Sequence, residues 1–250
     1  MFPVRDDNPT LVTPIVTILI VVANLLVWVL VQGFGNEPLL SRSVCELGLI
    51  PGELLGRVPD GLRVALSPTT ACVMHHASAS WVTAVTSMFL HGGWFHVLGN
   101  MWFLWVFGDN VEDSMGHGRF AAFYLLCGLA AAAAQVAASP SSPIPMVGAS
   151  GAIGGVMGAY ALLYPRANVN MLVLLGIFIT RIDVPAYLVL GYWFVLQVLG
   201  GIPGLEAQGG GVAFWAHVGG FLSGLALCLF FKDAALVDAH RAAIARDADI

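Results

Sequence analysis

Charge is what this chain has least of. Only 10% of its residues are charged, 10 Lys and Arg against 15 Asp and Glu, while 58% are hydrophobic. Its mean hydropathy is +0.84. A soluble domain carries roughly a quarter charged residues, so this composition cannot clothe a water-facing surface, and the class left is an integral membrane protein. Basic runs are also missing, and with a formal net charge of −5 no nucleic-acid partner is expected. Cysteine is scarce. Cys127 and Cys228 lie in apolar runs and read as small packing residues. Cys45 and Cys72 share one polar loop, where a bridge depends on whether that loop faces an oxidising compartment. Histidines and cysteines lack the spacing of a structural zinc site, and the neighbours His75 and His76 diverge in extended chain, so no metal or cofactor is expected.

What is present is a series of apolar runs. Leu11 to Val31 is uncharged and long enough to cross a bilayer. Its leading Arg5-Asp6-Asp7 is not net positive and no small-x-small site follows promptly, so it reads as a retained span rather than a signal peptide. A long loop, about residues 33–93, precedes a second span from Phe95 to Ser114 and a third from Phe120 to Ala138. The three prolines between Ser139 and Pro145 then break the helix. A fourth, short span runs from Ser150 to Tyr164, and its length places its start below the membrane surface. Asn168 to Thr180 is apolar but too short to cross, and reads as interfacial or re-entrant. Val184 to Leu199 and Val212 to Phe231 complete six spans, separated by a glycine-rich loop from Gly200 to Gly211 that has little to hold it rigid. The expected fold is an all-α, six-helix membrane bundle over residues 11–231, between a short N-terminal segment, 1–10, and a tail, 232–250, with the character of a surface amphipathic helix.

With six spans both termini share a side. That side holds Arg5, Arg119, Arg166, Arg181, Lys232, Arg241 and Arg246, against Arg42, Arg57 and Arg63 on the other. The excess marks the termini as cytoplasmic and opens the start of the fourth span to the outside.

Polar side chains inside spans are costly and often mark function. His96 and Asn100 share one face of the second span, Ser150 opens the fourth, and His217 lies one turn into the sixth. Gly151, Gly154, Gly155 and Gly158 follow helical spacing, and Gly220 and Gly224 lie on the face of His217. Stripes of small residues let membrane helices approach closely, which would bring Ser150 to His217. A serine hydroxyl needs a base to become a nucleophile, and neutral imidazole is the usual one. An oxyanion needs donors, which His96, Asn100 and the Ser150 backbone N–H can supply. Neither Ser150–Tyr164 nor Val212–Phe231 contains an Asp or Glu, so the sequence offers a dyad rather than a triad.

Three pieces together resemble the rhomboid family of intramembrane serine proteases: His91-Gly-Gly-Trp-Phe-His96-Val-Leu-Gly-Asn100, Gly148-Ala-Ser150-Gly151, and Ala216-His217-Val-Gly-Gly220 with Gly224. The resemblance runs from about Thr86 to Phe231. It implies Ser150 as nucleophile, His217 as general base and acid, and His96, Asn100 and the Ser150 N–H as the oxyanion site. It implies membrane-protein substrates and no cofactor, while the lack of an obvious organelle-targeting leader and the compact six-span plan point to a bacterial inner membrane. The stretch Gly108-Asp109-Asn110-Val111-Glu112 resembles the family's second-helix ending, so Glu112 reads as a brace. The long loop resembles the family's membrane-interface loop, and the loop before His217 its cap. Two departures stand out: Trp81 is followed by Val82 where many relatives have arginine, and position 154, where some carry an aromatic that stacks on the dyad histidine, is Gly154.

Other histidines read as structural (His91) or solvated (His117, His240), and Trp81, Trp94, Trp102 and Trp105 as interfacial or packing residues. An inactive relative that binds transmembrane clients is the main alternative. A transporter is disfavoured by the lack of a repeat and by polar groups gathered at one end.

Overall fold

A computed structural model describes residues 2–67, 70–75, 80–175, 178–202 and 212–248, and it has a helix at each of the six apolar segments. These are α1 (Ile15–Leu30), α5 (Trp94–Met115), α6 (His117–Ala138), α7 (Ser150–Leu163), α8 (Ala186–Gly200) and α9 (Phe214–Phe231). Among the described residues, α6 and α9 meet the length and apolarity needed to cross a membrane, while α1, α7 and α8 are shorter apolar helices. Around them stand the short α2 (Leu39–Leu47), α3 (Pro51–Leu54) and α4 (Thr83–Thr86), and the C-terminal α10 (Ala234–Ala248).

The core lies where α5, α6, α7 and α9 meet, filled by Phe107, Phe120, Phe123, Tyr124 and Tyr160. The outward faces are apolar too: Phe95 is 96% exposed and Phe230 81%. Large apolar groups turned outward on helices with a packed interior suit lipid rather than water.

The all-α expectation is corrected by two small sheets. Asn168 to Thr180, expected to be interfacial or re-entrant, is extended rather than helical. It belongs to an antiparallel hairpin of β4 (Asn168–Leu175) and β5 (Phe178–Pro185), joined by β1 (Phe2–Asp6) in the order β1-β4-β5. Val169, Met171 and Val173 are buried on alternate positions, the period-2 pattern of a strand with one covered face. The partner strand β1 lies more than 160 residues away in sequence, pairing Phe2 with Leu172 and Asp6 with Val169.

The long loop is itself folded. Besides α2, α3 and α4 it holds the hairpin of β2 (Arg63–Ala65) and β3 (Ala71–Val73), and Cys45 is disulfide-bonded to Cys72. Its ends are closed by one side chain: Gln32 donates from Nε2 to the His91 carbonyl at 2.8 Å and accepts the His91 N–H at 2.8 Å. Cys127 and Cys228 are free and buried.

The Glu112 carboxylate accepts from Val16 N–H and Thr17 N–H, both at 2.8 Å, and from the Thr17 hydroxyl at 2.7 Å. It thereby serves as the N-terminal cap of α1, whose own Pro14 supplies none. An anion at a helix N-terminus meets its unpaired N–H groups and the positive end of its dipole.

Of the two histidines expected to be solvated, His117 is exposed and His240 is not. His117 Nδ1 lies 2.6 Å from Glu112 Oε1. His240, on α10, is fully buried with Nδ1 2.9 Å from the Tyr164 hydroxyl, which in turn meets Ser114. The tail is docked accordingly. Asp233 N–H donates to the Ser114 carbonyl at 2.8 Å, Arg119 pairs with Asp233 at 3.1 Å, and Val237 packs into the core.

Candidate active site

Ser150 owes its position to the break before it. After the proline-rich segment, Gly148 donates its N–H to the Ser87 carbonyl at 2.9 Å and takes a φ of 129°, which side chains other than glycine's rarely adopt. A Cβ there would also lie 2.7 Å from His96 Nε2. Glycine is therefore needed for the turn and for the room it leaves. Ala149 is buried, and α7 begins at Ser150, so its first N–H groups have no partner within the helix.

His217 is brought in by the packing of α7 on α9. A Cβ on Gly220 would overlap the Gly151 carbonyl oxygen, one on Gly224 the Gly155 oxygen, and one on Gly158 the Phe221 oxygen. Gly154 faces the His217 carbonyl, 3.2 Å from where its Cβ would stand. All six stripe glycines lie at or against this crossing, with Gly151 and Gly155 also pressed by Ala131 and Cys127 of α6. The backbones thus meet without side chains between them. Ser150 Oγ and His217 Nε2 come within 2.7 Å.

The other face of His217 is also occupied. Nδ1 lies 2.7 Å from Gln197 Oε1, and the Trp193 ring sits over the imidazole with centroids 5.7 Å apart at 38°. Both residues come from α8. The aromatic missing at position 154 is thus supplied from another helix, whose Trp193 Cη2 stands 3.6 Å from a Cβ at Gly154. On the α6 side, Gln135 Oε1 accepts the Ala216 N–H at 3.2 Å, sharing it with the Ala213 carbonyl at 3.0 Å.

His96 and Asn100 line the same cavity as Ser150 and His217, a space of about 460 Å³ that also touches Gly99, Met157 and Trp193. Gly92 N–H donates to His96 Nδ1 at 3.2 Å. A neutral His96 therefore carries its proton on Nε2, the nitrogen beside Gly148. Asn100 is buried, and its Nδ2 has no partner among the described residues. His91 lies behind this group, its ring edge-on to His96 at 5.0 Å. All four polar residues singled out in the apolar segments are therefore together. Among the described residues, no group of three or more His, Cys, Asp or Glu could hold a metal ion. Of the glycine-rich stretch expected to cover the site, 200–211, residues 203–211 lie outside the described residues, as does His76.

Sequence reasoning missed Gln197, Trp193 and Gln135. The first carried a usable signal, since an amide in an otherwise apolar helix is as costly as the polar groups that were noticed.

Ser150 and His217 thus stand in hydrogen-bonding contact among apolar helices, in a cavity shared with His96 and Asn100. The family model for the rhomboid domain matches residues 78–233, more than half of the chain, and the chain belongs to the rhomboid family, whose known activity is intramembrane serine proteolysis. It is similar to the Bacillus subtilis rhomboid protease GluP, 34% identical over 160 residues, covering 64% of this chain and 27% of that protein. Similarity extends to the mitochondrial Rhomboid protein 1 of Saccharomyces cerevisiae, 28% identical over 58% of this chain and 40% of that protein. A third relative is the chloroplastic Rhomboid-like protein 11 of Arabidopsis thaliana, 32% identical over 36% of this chain and 32% of that protein. The chain spans well under two thirds of the length of these relatives.

Proposed function

We propose that the chain is an intramembrane serine endopeptidase that cleaves transmembrane or membrane-proximal segments of other membrane proteins, with α1, α5, α6, α7, α8 and α9 as its six spans. The observation that carries this reading is the 2.7 Å contact between Ser150 Oγ and His217 Nε2 in a cavity shared with His96 and Asn100. The names of the relatives, one of them called a rhomboid protease, support it.

In this reading the substrate helix unwinds locally, because a formed helix keeps its carbonyls engaged. Ser150 Oγ attacks the exposed carbonyl carbon while its proton passes to His217 Nε2. The carbonyl oxygen becomes an oxyanion, met by the Asn100 amide, His96 Nε2–H and the N–H at the start of α7. Collapse breaks the C–N bond, the leaving nitrogen takes the proton from His217, and an acyl-enzyme remains. A water then attacks the ester carbon, giving its proton to His217, which returns it to Ser150 Oγ as the acid product leaves.

The 14 residues of α7 rise about 21 Å, less than the roughly 30 Å of hydrocarbon. Ser150 at one end therefore lies below the bilayer surface, with water reaching it through the cavity. The bias of Lys and Arg supports cytoplasmic termini and a site toward the outer face, in our reading of a bacterial inner membrane. Replacing Ser150 by Ala tests the reading. Cleavage of a single-span substrate in liposomes should be abolished, and retained cleavage would refute it.

A further inference from the structure

We infer that Gln197 is the positioning residue of the base, holding His217 through Nδ1 in the one tautomer that can serve Ser150. This rests on the dyad reading above and completes it. For Nε2 to take the serine proton it must present a lone pair, so the neutral ring must carry its hydrogen on Nδ1. That hydrogen needs an acceptor, and Gln197 Oε1 stands 2.7 Å away.

An amide can face a histidine with either end, and only the oxygen is useful here. Were the nitrogen turned to Nδ1, the ring would have to accept there and carry its hydrogen on Nε2, where it could no longer act as base. The fold decides between them. Gln197 Nε2 donates to the Trp193 carbonyl at 3.2 Å, and a carbonyl can only accept. The amide is thus turned with its oxygen toward His217. Gln197 is 9% exposed, so few alternative partners compete. The Trp193 ring over the imidazole limits its rotation.

The choice of amide over carboxylate has a physical basis. A buried anion in an apolar helix is expensive unless fully paired, whereas a neutral amide fixes the tautomer without that cost. It gives up the stronger charge-assisted bond to an imidazolium. Among the described residues, His96 and His217 are the titratable side chains lining the cavity, with no acid beside them, and Gln197 is what the imidazolium meets at Nδ1 when it forms.

The test uses the full chain in liposomes, with Ser150 labelling by a fluorophosphonate and cleavage of a single-span substrate followed across pH. Gln197→Leu should lower kcat roughly 10- to 100-fold, the loss typical of removing an outer partner that orients a histidine, with KM changed less than about twofold, the sign of an interaction that matters in the transition state. Gln197→Glu keeps an acceptor at the same reach. It should recover most of that loss, and the acid limb of its rate profile should move to higher pH, because a carboxylate favours the imidazolium. A structural role alone would not move that limb. Wild-type kcat in Gln197→Leu, or an unmoved limb in Gln197→Glu, overturns the inference while leaving the dyad standing. If Gln197→Leu does not fold, the Gln197→Glu profile decides. Cleavage by Ser150→Ala would instead remove the dyad reading, and this inference with it.

Discussion

The Cα of Gly220 faces the carbonyl oxygen of Gly151 so closely that a single methyl group on it would occupy the oxygen's place. Backbone cannot retreat as a flexible side chain can, so Gly220→Ala must push α9 away from α7. The expected cost is about 1–3 kcal/mol of stability, with cleavage lost because Ser150 and His217 separate. Gly191→Ala on α8, where a Cβ meets nothing within 4 Å, should be neutral or stabilise by up to about 1 kcal/mol. Thermal unfolding in detergent and the cleavage rate compare the two.

Asn100→Ala removes a buried amide with no partner among the described residues for its Nδ2, so stability should change little. If that N–H meets the oxyanion, kcat should fall about 10²–10³-fold with KM nearly unchanged. Steady-state kinetics on a single-span substrate separate the two constants.

Glu112→Ala leaves the Val16 and Thr17 N–H groups and the Thr17 hydroxyl without their acceptor. The protein should lose about 1–3 kcal/mol, read as a lower unfolding temperature. Fluorophosphonate labelling of the folded fraction should persist, because Glu112 is not among the residues lining the cavity.

Burial raises Asp6 from the ordinary carboxylate range to about 7, against the opposing pull of the Tyr160 hydroxyl that donates to it. The folded chain then holds a proton that the unfolded chain has released between the unfolded value of 3.8 and about 7. Its contribution is fully present below that window, falls as pH rises through it, and levels off above. Asp6→Asn should flatten the corresponding part of the stability profile, measured by thermal unfolding from acid to neutral pH.

Much of the site was legible because its residues break a pattern. Ser150, His217, His96 and Asn100 are polar groups in runs that otherwise exclude them, and the glycine spacing told which faces would meet. Gln197 breaks the same pattern but sits on α8, and no spacing relates that helix to His217. Its role depends on a crossing that only the folded chain displays. The hairpin of β4 and β5 was misread because its apolar length resembles a failed span. The clue was the alternation of Asn168 and Asn170 with Val169 and Met171, and its partner β1 stands at the other end of the chain. The burial of His240 was hidden for a related reason. A histidine in a charged tail looks solvated until the tail docks against Ser114 and Tyr164.

The cap on α1 has a consequence for how the protein is made. The N-terminal amides of α1 are satisfied by Glu112, which leaves the ribosome some 80 residues after α1 is complete. Until α5 is threaded beside it, α1 stands with open amides at one end. The N-terminal segment is in the same position, because Thr10, Leu11 and Val12 bond to Asp109 and Asp113 of α5. Assembly of this end of the bundle is therefore ordered by the chain itself, with α1 locked only once α5 is in place.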